Sequence, residues 1–235
     1  MNKTAVVIGG SGGIGTAVSE KMIQKGIKVY SSYQKEKPNN PDINFFKVEI
    51  NEIDSVKGEF SKILDKEKID IMVFSVTAKI ENKQLMSLQW ADYSKHIDVQ
   101  IKGLYNTFDA LKEQLRSKHK TKFIILLTEY CAGRPSASLS HYITAKYGLM
   151  GMAKSMAVEL ARYNCTVNMV SPGMTSTDLI SNLPPKLIEI TAANNPLKRI
   201  AKPEDVANVV LFLAGDESDY INGANIFVNG GGVIV

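Results

Sequence analysis

Apolar positions in this chain fall into short unbroken runs, separated by segments in which they recur every three or four residues. AVVI (5–8), KVYSSY (28–33), FFKVEI (45–50), IDIMVFSV (69–76), KFIILLT (122–128), TVNMVSP (166–172) and ANIFVNGG (224–231) read as strands. The segments near 14–25, 53–66, 94–117, 141–162 and 203–213 read as helices. Strands apolar on both faces belong in a parallel sheet covered on both sides. Their alternation with helices predicts an α/β fold in one domain over residues 1–235, a doubly wound parallel sheet of about seven strands flanked by helices.

Two stretches interrupt the alternation. QKEKPNNPD (34–42) is too short and too rich in Pro and Asn for a crossover helix, so a turn is expected there. Residues about 174–200, containing MTSTDLISNLPPKLIEITAANNPLKR, are long, polar at their start and broken by Pro184 and Pro185. They read as a mobile cover over a site, or as a surface helical excursion. Met174, Leu179, Ile180 and Leu183 give the segment a partly apolar character suited to an apolar ligand or to sealing the fold.

Composition narrows the function classes. Hydrophobic residues make up 44% of the 235 positions, ordinary for a soluble globule. No apolar run reaches the roughly 18 residues needed to cross a bilayer, and MNKTAVVIGG meets a glycine cluster too soon for a signal peptide. A cytoplasmic location without membrane association is expected. The net charge of +4 is modest, and the basic run KEQLRSKHKTK (112–122) reads as a solvated helix end, so no nucleic-acid partner is expected. Cys131, Cys165 and three scattered histidines suggest neither a disulfide framework nor a metal site.

IGGSGGIG (8–15) stands between the first strand and the first helix. Gly9, Gly13 and Gly15 leave a tight turn free of Cβ atoms, where backbone amides and a helix N-terminus can meet a dinucleotide pyrophosphate. That context makes the sheet Rossmann-type, although the spacing is G-x-x-x-G-x-G. At the end of the second strand, Ser31, Ser32, Tyr33, Gln34 and Lys35 precede the first acid, Glu36. An acid there would bond a ribose diol. Ser32 and Lys35 instead leave room for a 2′-phosphate, so NADP(H) is expected in preference to NAD(H). The alternative is that Lys35 and Lys37 only solvate a loop.

HYITAK (141–146) places Tyr142 and Lys146 on one helix face. A phenol with a pKa of about 10 exchanges protons poorly at neutral pH. A neighbouring ammonium favours phenolate and makes Tyr142 a usable general acid or base.

The glycine turn, the Tyr142/Lys146 pair, SPGMTSTD (171–178) and the ending NPLKRIAKPEDVANVVLFLAGDESDYINGANIFVNGG together resemble the short-chain dehydrogenase/reductase family. The likeness runs over about 5–231 and is strongest to bacterial 3-oxoacyl-carrier-protein reductase-like members. It implies that Tyr142 protonates a substrate carbonyl while hydride arrives from a nicotinamide, and that Lys146 tunes the phenol and holds the nicotinamide ribose. It also implies that Pro172, Gly173, Thr175 and Thr177 flank the nicotinamide. Ser11, Ile14, Glu49, Ile50 and Ser75 complete the expected cofactor groove. A small-molecule or acyl-thioester substrate is implied, as is a homodimer or homotetramer built on the helices about 94–117 and 141–162.

The likeness breaks at three places. The family serine, 13 residues before the tyrosine, is here Glu129, preceded by Thr128. An ionised carboxylate only accepts hydrogen bonds and cannot bond a carbonyl oxygen. Glu129 beside Tyr142 would raise the phenol pKa by like-charge repulsion, or would itself be pushed up by burial and act as acid or base. Alternatively Glu129 turns outward and Thr128 supplies the hydroxyl. Phe74-Ser75-Val76-Thr77 replaces Asn-Asn-Ala-Gly, which should alter the groove floor, and Gln100 stands where a helix asparagine links the lysine to water. Two function classes follow: an oxidoreductase interconverting a ketone and a secondary alcohol, or a divergent scaffold doing non-redox or non-catalytic work with Glu129.

Overall fold

The computed structural model describes residues 3–133 and 135–234. Seven strands, β1 (Thr4–Ile8), β2 (Lys28–Tyr33), β3 (Asn44–Lys47), β4 (Ile71–Phe74), β5 (Thr121–Leu126), β6 (Cys165–Pro172) and β7 (Asn225–Val228), form one sheet of order β3-β2-β1-β4-β5-β6-β7. Every pairing is parallel. The helices are α1 (Gly13–Gln24), α2 (Ile53–Leu64), α3 (Trp90–Ile97), α4 (Gly103–Arg116), α5 (Ser140–Leu160), α6 (Pro185–Asn194) and α7 (Pro203–Ala214).

Period-two alternation divides the buried strand residues between two cores. Val6, Ile8, Met72, Phe74, Phe123 and Ile125 face α2, α4 and α5, where Phe60, Leu104, Leu111 and Leu149 meet them. Ala5, Val7, Ile71, Val73, Ile124 and Leu126 face α1 and α7, against Val18, Met22, Val206 and Val210. Apolar residues are therefore required at consecutive positions, which is why these strands read as unbroken runs. Phe60, Phe74 and Phe123 are fully buried, and each such burial contributes about 2–3 kcal/mol.

Residues 34–43 pass from β2 to β3 as bends and coil with a turn at Pro41 and Asp42, in keeping with the Pro38 and Pro41 interruptions. Lys122, buried in β5, secures the far end of the sheet. It donates to the Gly215 carbonyl and to Ser218 Oγ (2.8 Å), and it pairs with Asp219 at 2.7 Å.

The helix expected over 94–117 is not continuous. α3 begins earlier, at Trp90, with Asp92 accepting the Gln89 backbone N–H at 2.8 Å. Five π-helical residues, Asp98–Lys102, then join it to α4. Strands β2 and β3 are added on one side of β1 and β4 to β7 on the other, and the crevice at such a switch point is where open α/β sheets hold ligands.

Candidate active site

A cavity of about 630 Å³ opens above the C-terminal strand ends. Its first wall is the β1–α1 turn. Gly9 has φ +83°, and a Cβ there would lie 2.6 Å from the Ser75 carbonyl oxygen. At Gly15 a Cβ would lie 2.1 Å from the Gly9 carbonyl oxygen, so the turn closes only without side chains. Gly9, Ser11, Gly13, Ile14 and Gly15 all line the cavity, and Thr177 packs over Gly13. A hydroxyl-bearing side chain thus stands beside an amide-rich turn and helix N-terminus, a setting suited to a pyrophosphate.

The far end of the cavity is formed by Ser32, Gln34, Glu49, Ile50 and Asn51. Ser32 Oγ accepts the Gly9 N–H at 2.9 Å, fixing the turn while leaving the hydroxyl proton free to donate. Gln34 Nε2 lies 3.4 Å from Glu49 Oε2. Asn51 Oδ1 is buried with no hydrogen-bond partner among the described residues. An unsatisfied acceptor in a ligand-sized groove fits a nucleotide carrying donors. In the sequence only its place directly after Glu49 and Ile50 marks Asn51. Lys35 is exposed and outside the lining, so the expected pairing of Ser32 with Lys35 places only Ser32 at the cavity.

The other end holds Tyr142 and Lys146, on α5, with Pro172 at the end of β6 and Gly173 and Thr175 after it. The lysine Nζ donates to the Leu126 carbonyl at 2.8 Å and lies 5.8 Å from the Tyr142 ring centroid. Burial lowers the lysine pKa to about 8. The same burial raises the Tyr142 pKa, opposed by hydrogen bonding from the Thr128 side chain. The expectation that Lys146 makes the phenol more acidic is corrected: burial sets the direction of the Tyr142 shift.

Position 129 differs from the simple count. Thr128 is extended and caps the short helical turn Glu129–Cys131, which brings its hydroxyl toward Tyr142. The Glu129 carboxylate turns the other way, toward the Asn229 side chain and the Met174 backbone N–H. Its Oε2 packs on Gly173 and Gly232, at 3.2 and 3.3 Å from where their Cβ atoms would stand. Burial raises its pKa. The predicted like-charge repulsion on Tyr142 is corrected too, since burial is what lifts the phenol. With Tyr130, Gly173 and Met174, Glu129 forms the wall shared with a second hollow of about 640 Å³, which is lined further by Asn195, Asn229 and Gly230.

Two other expected alterations also move. Phe74 lies in the core below the groove, its ring tip near Gly103, and Ser75, Val76 and Thr77 line the cavity instead. Gln100 is fully buried on the π-helical turn outside the lining, with Nε2 3.4 Å from His96 Nδ1. The site thus juxtaposes a dinucleotide-sized groove with a phenol, a hydroxyl and a buried amine, the components needed to hold a carbonyl and deliver a proton to it.

Comparison with known proteins agrees with this arrangement. Residues 9–232 match the family described as enoyl-(acyl-carrier-protein) reductase. The 3-oxoacyl-(acyl-carrier-protein) reductase FabG of Rickettsia felis is 33% identical, covering 99% of this chain and 98% of its own. The FabG of Staphylococcus epidermidis strain ATCC 35984 is 30% identical, covering 98% and 99%. Among solved structures, ligand-free aldohexose dehydrogenase from Thermoplasma acidophilum superposes with a TM-score of 0.90 at 26% identity, covering 98% of this chain and 93% of that one. With its seven-stranded parallel sheet, its glycine turn and its Tyr142/Lys146 pair, the chain belongs to the short-chain dehydrogenase/reductase family.

Proposed function

We propose that this protein is an NADP(H)-dependent oxidoreductase that interconverts a ketone and a secondary alcohol, with Tyr142 as general acid/base. The observation that carries the reading is the meeting of Tyr142, Thr128 and Lys146 at one end of a groove whose other end is the glycine turn. A bound nicotinamide would supply or accept hydride. The turn residues and Thr177 hold the pyrophosphate, Ser32, Glu49, Ile50 and Asn51 enclose the adenosine, and Pro172, Gly173 and Thr175 border the nicotinamide. Thr128 takes the part of the missing serine: its hydroxyl orients the carbonyl oxygen, and Tyr142 gives that oxygen a proton. Lys146, once a phenolate forms, holds the charge by proximity.

NADP(H) is favoured over NAD(H) because β2 ends in Ser32 and Tyr33 and is followed by Gln34, without an acid. Lys35 follows Gln34 directly and is free to reach a 2′-phosphate at the solvent side. The resemblance to the 3-oxoacyl-carrier-protein reductases favours a 3-oxoacyl thioester or another small ketone, with residues 174–200 as the substrate cover. Exposed Tyr105, Tyr147 and Val158 on α4 and α5 support a homo-oligomer built on those helices. No helix among the described residues is long and apolar enough to cross a membrane, which suits a cytoplasmic enzyme.

The test follows NADPH absorbance with 3-oxoacyl thioesters and simple ketones. Turnover lost in Tyr142→Phe supports the reading, and cofactor binding without turnover of any carbonyl refutes it. A non-redox role for Glu129 is the second reading, motivated by its raised pKa at the cavity wall. It requires Glu129→Gln to abolish the native reaction.

A further inference from the structure

Facing away from Tyr142, the Glu129 carboxylate stands where three chain segments cross. It accepts from the Asn229 side chain, just beyond β7, and from the N–H of Met174, the first residue of the cover. Asn229 is buried. Its Nδ2 donates to the Val233 carbonyl at 2.9 Å, its Oδ1 accepts the Gly231 N–H at 3.1 Å, and its own carbonyl accepts from Asn195 Nδ2 at 2.8 Å. Asn195 follows the last residue of α6, and its Oδ1 accepts the Leu197 N–H at 2.9 Å. One hydrogen-bond network thus joins both feet of the cover, Met174 and Asn195, to the C-terminal turn and to the loop after β5.

Two glycines leave room for this network. A Cβ at Gly173 would lie 3.1 Å from Asn229 Cβ and 3.2 Å from Glu129 Oε2. At Gly232 it would lie 3.2 Å from the Asn229 carbonyl oxygen, 3.3 Å from Glu129 Oε2 and 3.4 Å from Asn195 Nδ2. Neither glycine has a left-handed φ, so close approach rather than backbone freedom is what favours glycine there.

The cover has few other attachments. α6 buries none of its residues, and Leu187 and Ile190 are exposed. Toward its tip, the bond from Asn182 Nδ2 to the Ile80 carbonyl is long, at 3.5 Å. The firm contacts lie at the base, where Ala201 N–H donates to the Met174 carbonyl and Ser176 N–H to the Ala201 carbonyl, both at 2.9 Å. A segment with so little buried apolar area takes its position from where it is anchored.

We propose that Glu129 is a positioning residue for the substrate cover: by tying Met174 to Asn229 over Gly173 and Gly232, it fixes the base from which Leu179, Ile180 and Leu183 close on the cavity. The proposal rests on the reading of residues 174–200 as a substrate cover within the reductase reading. A serine at this position would end one atom beyond Cβ with a single oxygen. Glutamate reaches two carbons farther and presents two acceptor oxygens, which suits two donors on separate segments.

Hydrogen exchange of the full chain, read by mass spectrometry, reports on the cover without turnover. In Glu129→Ala, the amides of residues 174–195 and 229–233 should exchange about tenfold faster while those of the glycine turn stay unchanged. Glu129→Gln, whose amide oxygen still accepts two hydrogen bonds, should stay within about threefold of the wild type. Asn229→Ala should loosen the same segments, and the double variant with Glu129→Ala should exceed the larger single effect by less than about threefold, because both changes cut one network. Asn195→Ala cuts that network at the other foot and serves the same measurement where Glu129→Ala does not fold. With NADPH and a ketone, Glu129→Ala should raise KM about tenfold and change kcat less than about threefold, with Glu129→Gln near the wild type in both. Cover exchange unaltered in Glu129→Ala, fully multiplying effects in the double variant, or a fall in kcat at constant KM overturns the proposal. So does a Glu129→Gln protein that loses activity with its cover exchange unchanged, the result that the non-redox reading requires. A wild type that reduces no carbonyl while its variants follow the exchange pattern upholds the Glu129 tie and overturns the reductase reading instead.

Discussion

At the scale of single residues, it is the Thr128 hydroxyl, not the Glu129 carboxylate, that stands toward Tyr142. Thr128→Val should lower kcat by about 10²–10³, whereas Thr128→Ser keeps most activity, because removing one donor to a developing oxyanion costs that much. Glu129→Ser should change kcat less than about threefold in the same assay, since the carboxylate faces Met174 and Asn229. A large gain in Glu129→Ser would place position 129 back at the reacting carbonyl. The lysine makes a prediction about stability. Its folded pKa of about 8 lies below the unfolded value of 10.5. Between those values the unfolded chain binds more protons, so folding stability rises with pH there. Urea unfolding should show the wild type gaining on Lys146→Met between pH 8 and pH 10. Tyr142 and Lys146 were legible because their spacing is local. The direction of the Glu129 carboxylate was not, since it depends on Asn229 and Gly232, a hundred residues away in sequence.

Among elements, β1, β2 and β6 agree with their apolar runs to within one residue at each end, whereas β3, β4, β5 and β7 end two or three residues before theirs do. The helix expected over 94–117 was misjudged for a physical reason. A π-helical insertion shifts the apolar stripe by one position without breaking its polarity pattern, so α3 and α4 merge when only periodicity is considered. That insertion carries Gln100 into the core beside His96. The β1–α1 turn is the element whose geometry tolerates least change. Gly15→Ala pushes a methyl into the Gly9 carbonyl oxygen. It should cost about 1–3 kcal/mol in urea unfolding and weaken NADPH binding at least tenfold by fluorescence titration. Lys35→Ala should leave stability unchanged and weaken NADPH more than NADH, which a paired titration of the two cofactors measures.

For the whole molecule, the seven-stranded order follows from local signals plus the crossover rules, whereas the two hollows separated by Glu129 arise only when the ends of β5, β6 and β7 are brought together. The opposite end of the sheet predicts an acid limit to stability. Asp219, held to a pKa of about 2 by hydrogen bonds from Lys120 and then Lys122, favours the folded state above the ordinary carboxylate range and loses that effect as pH falls toward 2. Asp219→Asn should flatten this part of a pH–stability curve. α5 runs 21 residues, about 32 Å, with Tyr142 in its first turn. Side chains lean toward a helix's N-terminus, and the aligned peptide dipoles place about half a positive elementary charge there. A phenolate formed at Tyr142 in the proposed reaction would therefore sit in a favourable field generated by main-chain groups, and a part of its stabilisation should survive when Lys146 is replaced.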